Sequence, residues 1–207
     1  MPRILDKMDE NILDVSRELF LTRGLRATEM KDIAVRAGIG RSTLYRHFTG
    51  KEIIAFYIAK DILTGLRELT DTESERLNSL NNGYEKLEET MLLFTSKLIE
   101  NRDKVRFLDE FDQYFTDDYP ASEEADEYIQ FNKNKDTVMY QYFLEGMKDG
   151  SIKAVKDAEF KIDVLLNTAL GIAQRIIPRR EHYLEEHGYC EELLKEAVRL
   201  ILLGIKA

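Results

Sequence analysis

The sequence predicts an all-α fold, with a small N-terminal three-helix domain followed by a larger helical domain. Hydrophobic residues make up 43% of the 207, enough to bury a core, while three prolines and eleven glycines leave little material for a strand-rich, turn-rich architecture. Apolar residues also recur at helical spacing along most of the chain. The pattern changes after Lys51 from short helices to longer ones without a low-complexity linker. The expected domains are therefore residues 1–51 and 52–207.

Met8, Ile12, Val15, Leu19 and Phe20 mark a first helix over residues 8–20, and Gly24 stands where a C-terminal cap belongs. Thr28 precedes a second, short helix in which Met30, Ile33 and Ala34 face one way and Asp32 lies near the positive end of the dipole. A helix-turn-helix needs a small residue where two helices cross, a glycine where the turn demands positive φ, and apolar residues that bury the second helix on the first. Ala34, Gly38, Ile39 and Leu44 fill those roles in order. The helix that follows, residues 41–47, then presents Arg41, Ser42, Thr43, Tyr45, Arg46 and His47, side-chain types that contact base edges and phosphates.

Beyond Lys51 the spacing predicts helices over residues 52–70, 84–100 and 103–115. Tyr119 and Pro120 break the pattern. A long helix is expected over 123–148, stopping at Asp149 and Gly150, and two more over 158–183 and 190–205, with His187 and Gly188 between them.

The net charge of -9 is unevenly placed. Residues 1–51 hold ten Lys/Arg against seven Asp/Glu, and the remainder twenty against thirty-two, so a basic head sits on an acidic body. The single cysteine, Cys190, cannot form an internal disulfide. No N-terminal apolar signal and no membrane-spanning apolar run is present, so the expected location is cytoplasmic, without membrane contact.

The stretch from Ile12 to Ile54 resembles the DNA-binding domain of the tetracycline-repressor (TetR) family of transcriptional regulators. The resemblance is carried by Ile12-Leu13-Asp14, Glu18-Leu19-Phe20, Arg23-Gly24, Ala27-Thr28, Asp32-Ile33-Ala34 and Ala37-Gly38-Ile39. It continues through Thr43-Leu44-Tyr45-Arg46-His47-Phe48 to Lys51-Glu52. It implies a N-terminal helix-turn-helix domain and a C-terminal helical ligand-binding and dimerisation domain. It also implies that Arg41, Thr43, Tyr45 and Arg46 reach double-stranded operator DNA, with Tyr45 and His47 on phosphates, and that Lys51 adds a phosphate contact at a helix N-terminus. Thr28, Gly40 and Ser42 complete the expected DNA-binding set. Gly40 departs from the family's frequent serine: it still serves as an N-cap but loses a side-chain phosphate contact. An early arginine such as Arg41, or Arg46, bonds bidentately to guanine for about 1–3 kcal/mol of discrimination, or it touches phosphate; both readings stand.

Ten of the twenty aromatics fall between residues 101 and 146. Phe107, Phe111, Tyr114, Phe115, Tyr140 and Phe143 are expected either to line a pocket for a small hydrophobic, aromatic or cationic effector, with Asp109, Glu110 and Asp112 close by, or to fill the core. The last two helices are apolar over a wide arc: Phe160, Val164, Ile172 and Ile176 form one stripe, extended by Leu166, Leu170, Ala173 and Ile177, and the final helix matches it. Both sides of such helices must be buried, and the resemblance implies that they pair with their copies in a homodimer. Two recognition helices about one DNA turn apart then call for a palindromic operator.

An enzyme is not expected. Glu181-His182 and Glu186-His187 lack the Glu-x-x-His spacing of helical carboxylate metal sites, and no catalytic residue, metal or cofactor is assigned. The expected function is a sequence-specific DNA-binding regulator, a dimeric repressor released by a ligand. The alternative is a ligand-independent DNA-binding structural or protein-partnered factor of the same fold.

Overall fold

The computed structural model describes residues 4–134 and 137–207. Among them the chain forms α1 (Lys7–Arg23), α2 (Met30–Arg36), α3 (Arg41–His47), α4 (Lys51–Arg67), α5 (Asp71–Asn78) and α6 (Gly83–Glu100). It continues with α7 (Arg102–Tyr114), α8 (Glu123–Lys133), α9 (Val138–Asp149), α10 (Ala158–Ile176), α11 (Arg180–His187) and α12 (Glu191–Ile205). Packing divides them into two units: residues up to Gly65 with Arg106–Lys133, and Leu66–Val105 with Asn134–Ala207. The division expected at residue 51 follows sequence pattern and function; packing draws its own line.

In the first unit, α1 begins at a reciprocal cap. The Asp6 carboxylate accepts from the amides of Met8 and Asp9 at 2.8 and 2.9 Å, while Asp9 Oδ2 accepts from the Asp6 amide at 3.0 Å. A cap of this kind contributes about 1 kcal/mol. The helix buries Ile12, Leu13, Leu19 and Phe20 and ends at Gly24, whose φ of 95° only glycine adopts readily. Ile33 and Ala34 of α2 and Leu44 of α3 complete the small core, with Gly38 at φ 69° in the turn between the two helices.

The rest of this unit is aromatic. Phe20 stacks on Phe107 with ring centroids 5.9 Å apart. Phe56 of α4 lies among Phe111, Phe115, Tyr119 and Tyr128 at 5.3, 4.9, 5.1 and 5.6 Å. Each such pair adds about 0.5–1.5 kcal/mol to the apolar area it buries.

In the second unit α6 and α9 touch backbone to backbone. A Cβ on Gly83 would lie 2.1 Å from the Gly146 amide nitrogen and 2.6 Å from the Tyr142 carbonyl oxygen, so no larger residue fits. Tyr84, Leu87, Met91, Phe143, Leu165, Leu194, Val198 and Leu202 fill the core around this crossing. Ile152 and Lys206 form a short antiparallel bridge, flanked by bonds from the Lys153 amide to the Ile205 carbonyl and from the Ala207 amide to the Ser151 carbonyl.

Three helical boundaries differ from expectation. Helix α5 is an addition, started by Thr70, whose hydroxyl accepts from the Glu73 amide at 3.2 Å. The helix expected over 123–148 is two, α8 and α9, the second capped by Thr137 accepting from the Tyr140 amide at 3.3 Å. The helix expected over 158–183 stops at Ile176, because Pro178 has no amide hydrogen to continue the ladder, and α11 starts anew.

Among the described residues no helix is long and apolar enough to cross a membrane. Phe160 (57% exposed) and Val164 (38%) on α10, and Leu200 (60%) and Leu203 (56%) on α12, leave an apolar face of each helix uncovered.

Candidate nucleic-acid interface

Helix α3 is short and buries only Leu44 of its seven residues, which anchors it on the core of α1 and α2. Everything on the opposite side faces water: Arg41, Ser42, Tyr45 and Arg46 are exposed, Tyr45 by 51%. Thr43 is half-buried, and its hydroxyl accepts from the Arg46 guanidinium at 3.3 Å, which steadies that arginine along the helix. Gly40 takes the N-cap with φ -71° and ψ 149°. That is ordinary extended backbone, and the amides of Thr43 and Leu44 bond to the Gly40 carbonyl at 3.0 Å. The recognition helix therefore forms over the residues expected, with glycine as its cap.

Beside α3 runs an open groove of about 470 Å³, lined by Glu29, Met30 and Lys31 at the start of α2, Arg41 and Tyr45 of α3, and residues 49–52 at the start of α4. It combines a guanidinium, a phenol and an ammonium at its walls. The ammonium of Lys31 is held above its ordinary value by the hydrogen bond and charge of Glu29, 2.8 Å away. A phosphodiester fits this chemistry, since arginine and tyrosine donate to phosphate oxygens and exposed helix starts present amides. Lys31, Met30 and Thr49 are groove residues that the sequence reading passed over. The basic residue in the first turn of α2 was the available signal.

Three expected DNA-contacting side chains are turned inward. Thr28 is fully buried and its hydroxyl donates to the Gly24 carbonyl at 2.8 Å, bracing the connection between α1 and α2. It is not the cap of α2; the helix begins one residue later, where the Asp32 carboxylate accepts from the Glu29 amide at 3.0 Å. The Lys51 ammonium has its three donors on the carbonyls of Leu25, Arg26 and Thr28 at 2.8, 3.2 and 2.9 Å, so in this structure it fastens that connection to α4 instead of reaching outward. His47 Nδ1 pairs with the buried Asp9 at 2.8 Å, tying the end of α3 to the start of α1. With Asp6, these two residues bring one nitrogen and carboxylate oxygens within 4.8 Å of one another. The capping bonds of α1 account for that cluster.

The six expected effector-lining residues divide between the two units. Phe107, Phe111, Tyr114 and Phe115 belong to the first unit, Tyr140 and Phe143 to the second. Phe107 and Phe111 are buried ring against ring with Phe20 and Phe56. Tyr114 turns toward the helix-turn-helix: its hydroxyl donates to Glu52 Oε1 at 2.7 Å and the Lys51 ammonium lies 5.5 Å from its ring centroid. Burial, with the Glu52 carboxylate beside it, pushes the Tyr114 phenol up to about 12. Of the nearby carboxylates proposed for a cationic ligand, Glu110 is occupied by the Arg26 amide at 2.7 Å.

Comparisons with known proteins agree with this geometry. The model of the family described as bacterial regulatory proteins, tetR family, matches residues 12–58, a span that contains most of α1 and all of α2 and α3. Over 167 residues, 76% of this chain and 74% of the relative, the chain is 29% identical to the HTH-type transcriptional repressor KstR2 of Rhodococcus jostii. Among solved structures, FadR of Thermus thermophilus, a TetR-family transcriptional repressor in complex with lauroyl-CoA, superposes with a TM-score of 0.65 at 18% identity, covering 94% of this chain and 93% of that one. The ketosteroid transcriptional regulator KstR2 of Mycobacterium tuberculosis gives 0.61 at 19% identity, covering 99% and 97%. A polar recognition helix on a small buried core, the family match across it and relatives that share most of the chain lead to one identification: residues 12–58 are a DNA-binding domain of the tetR family of bacterial regulatory proteins, and the protein is a DNA-binding transcriptional regulator.

Proposed function

We propose that the protein is a cytoplasmic homodimeric repressor that occupies a palindromic operator and leaves it when a hydrophobic effector binds. The observation that carries the reading is the water-facing strip of α3, Arg41, Ser42, Tyr45 and Arg46, beside the groove that holds Lys31. Residues 1–51 would read DNA, and residues 52–207 would dimerise and respond to ligand. Arg41 is the first choice for a base edge and Tyr45 for a phosphate. The uncovered apolar faces of α10 and α12 support the dimer: Phe160, Val164, Leu200 and Leu203 are costly to leave in water. The effector class follows the relatives, one bound to lauroyl-CoA and another named for ketosteroids.

A second reading, a ligand-independent DNA-binding factor, is favoured by the ring-to-ring packing of Phe56, Phe107, Phe111 and Phe115, which leaves the first three as buried core and Phe115 half-buried against them. One experiment addresses both. Mobility shift with the promoter of the protein's own gene, across a salt series, compares wild type with Arg41→Ala and Tyr45→Ala, then titrates lauroyl-CoA into the wild-type complex. Salt-sensitive binding, lost in both variants and released by the acyl-CoA, supports the repressor. Binding indifferent to that compound and to a steroid thioester supports the second reading, and binding unchanged in both variants removes α3 as the reader.

A further inference from the structure

The connection between α1 and α2, residues 24–29, is gripped from two directions within the first unit. From α4 comes the Lys51 ammonium, on three of its carbonyls. The other grip comes from α7. Phe107 and Phe111 send their rings into the aromatic cluster, while Arg106, Glu110 and Gln113, at the spacing of a neighbouring helical face, meet the end of α1 and the connection. The Arg106 guanidinium donates to the Leu21 carbonyl. Glu110 Oε1 accepts from the Arg26 amide at 2.7 Å, and the Arg26 guanidinium donates to the Gln113 carbonyl at 2.7 Å. The Glu110 carboxylate also occupies the space a side chain on Gly24 would need, with Oε2 2.8 Å from the Cβ position. The connection ends at Glu29, Met30 and Lys31, one wall of the groove beside Arg41 and Tyr45.

We propose that Glu110 is a positioning residue for operator binding: its carboxylate sets the α1–α2 connection, and with it the Lys31 wall of the groove, so that α7 is a working part of the DNA-reading head. The proposal rests on reading that groove as the operator interface. It adds a route by which the aromatic cluster governs DNA affinity. Phe107, Phe111 and Glu110 sit on one rigid helix, so anything that displaces the rings also moves the carboxylate off the Arg26 amide.

The variants E110A and E110Q separate positioning from bulk stability, because glutamine keeps the acceptor oxygen and alanine removes it. Amide hydrogen exchange on the full-length protein without DNA is read first. E110A should speed exchange at Arg26 and across residues 24–29 by about tenfold and leave Leu44 unchanged, with E110Q within about twofold of wild type. Titration of an operator selected in vitro, at a temperature where every variant is folded, should then show E110A about tenfold weaker and E110Q restoring most of the loss. If E110A melts earlier but exchanges and binds like wild type, Glu110 only stabilises and the proposal is overturned. Failure of the wild type to select any DNA would instead defeat the operator reading, while the exchange data would still decide whether Glu110 holds the connection.

Discussion

Helices α3 and α12 each leave one face uncovered, and the two faces are opposite in chemistry. Helix α3 buries Leu44 and turns Arg41, Ser42, Tyr45 and Arg46 to water; α12 buries Leu194, Val198 and Leu202 and turns out Leu200 and Leu203. A polar face is content in water and can wait for its partner, while an apolar face gains about 25 cal/mol for every Å² it removes from water. The first suits an interface that forms and dissolves, the second one that stays closed. In the proposed repressor the difference maps onto regulation: DNA would have to be released, whereas the pairing that sets the distance between two recognition helices would have to persist.

The comparison breaks most visibly at α12. Leu200→Glu with Leu203→Glu would place unpaired charges in a closed apolar interface, weakening the dimer by about 3 kcal/mol, or over a hundredfold. Sedimentation should show monomer and operator binding should collapse with it; a double variant that remains dimeric would assign this face to something else. At α3, Arg41→Ala should cost about 1–3 kcal/mol of operator affinity and leave melting temperature and dimerisation as they were. A loss of equal size on every sequence would mark Arg41 as a phosphate contact, and a loss confined to one base-pair position would mark it as a reader.

A gentler change sharpens the polar side. Gly40 has a φ of -71° and its Cβ position lies 3.9 Å from the nearest heavy atom, Ser42 Oγ, so Gly40→Ser fits without strain and adds a side-chain cap. It should steady α3 by a few tenths of a kcal/mol, visible as slower amide exchange at Thr43 and Leu44. The smallest effect is electrostatic. The Arg102 guanidinium, 2.5 Å from Glu181, holds that carboxyl at about 2 instead of 4.5. Its stabilisation is therefore present above pH 4.5 and disappears as pH falls toward 2. Both partners are exposed, so added salt should shrink it. Arg102→Ala should return the Glu181 titration, followed by NMR, to the ordinary carboxylate range.

The helix-turn-helix was legible because its requirements are local. Ala34, Gly38, Ile39 and Leu44 are each demanded by geometry within a few residues, and α3 runs from Arg41 to His47 as the spacing predicts. Glycine breaks were equally plain: Gly150 takes a φ of 82° where a helix was expected to stop, and Gly188 a φ of 76° in the gap expected between the last two helices. The interruptions after Lys133 and Ile176 were harder to read, because apolar periodicity carries across a short break, and Thr137 and Pro178 read as helix-breaking only once the break is known. The candidate site was half legible. Exposed residue types on α3 follow from Leu44 being buried, but the inward turns of Thr28, His47, Lys51 and Tyr114 depend on Gly24, Asp9, the carbonyls of residues 25–28 and Glu52. No local pattern announces partners 38 or 62 positions away along the chain.

The chain's single cysteine opens an experimental door. Cys190 is buried at the start of α12 with its sulfur 3.8 Å from the Ile176 carbonyl oxygen, and burial pushes its thiol up, so a maleimide added to the folded protein meets almost no reactive thiolate. The natural chain is thus its own quiet background for labelling. A cysteine introduced at Arg46 would carry a spin label alone, and pulsed dipolar spectroscopy across two copies would give the span between recognition helices directly, in ångströms, with and without effector.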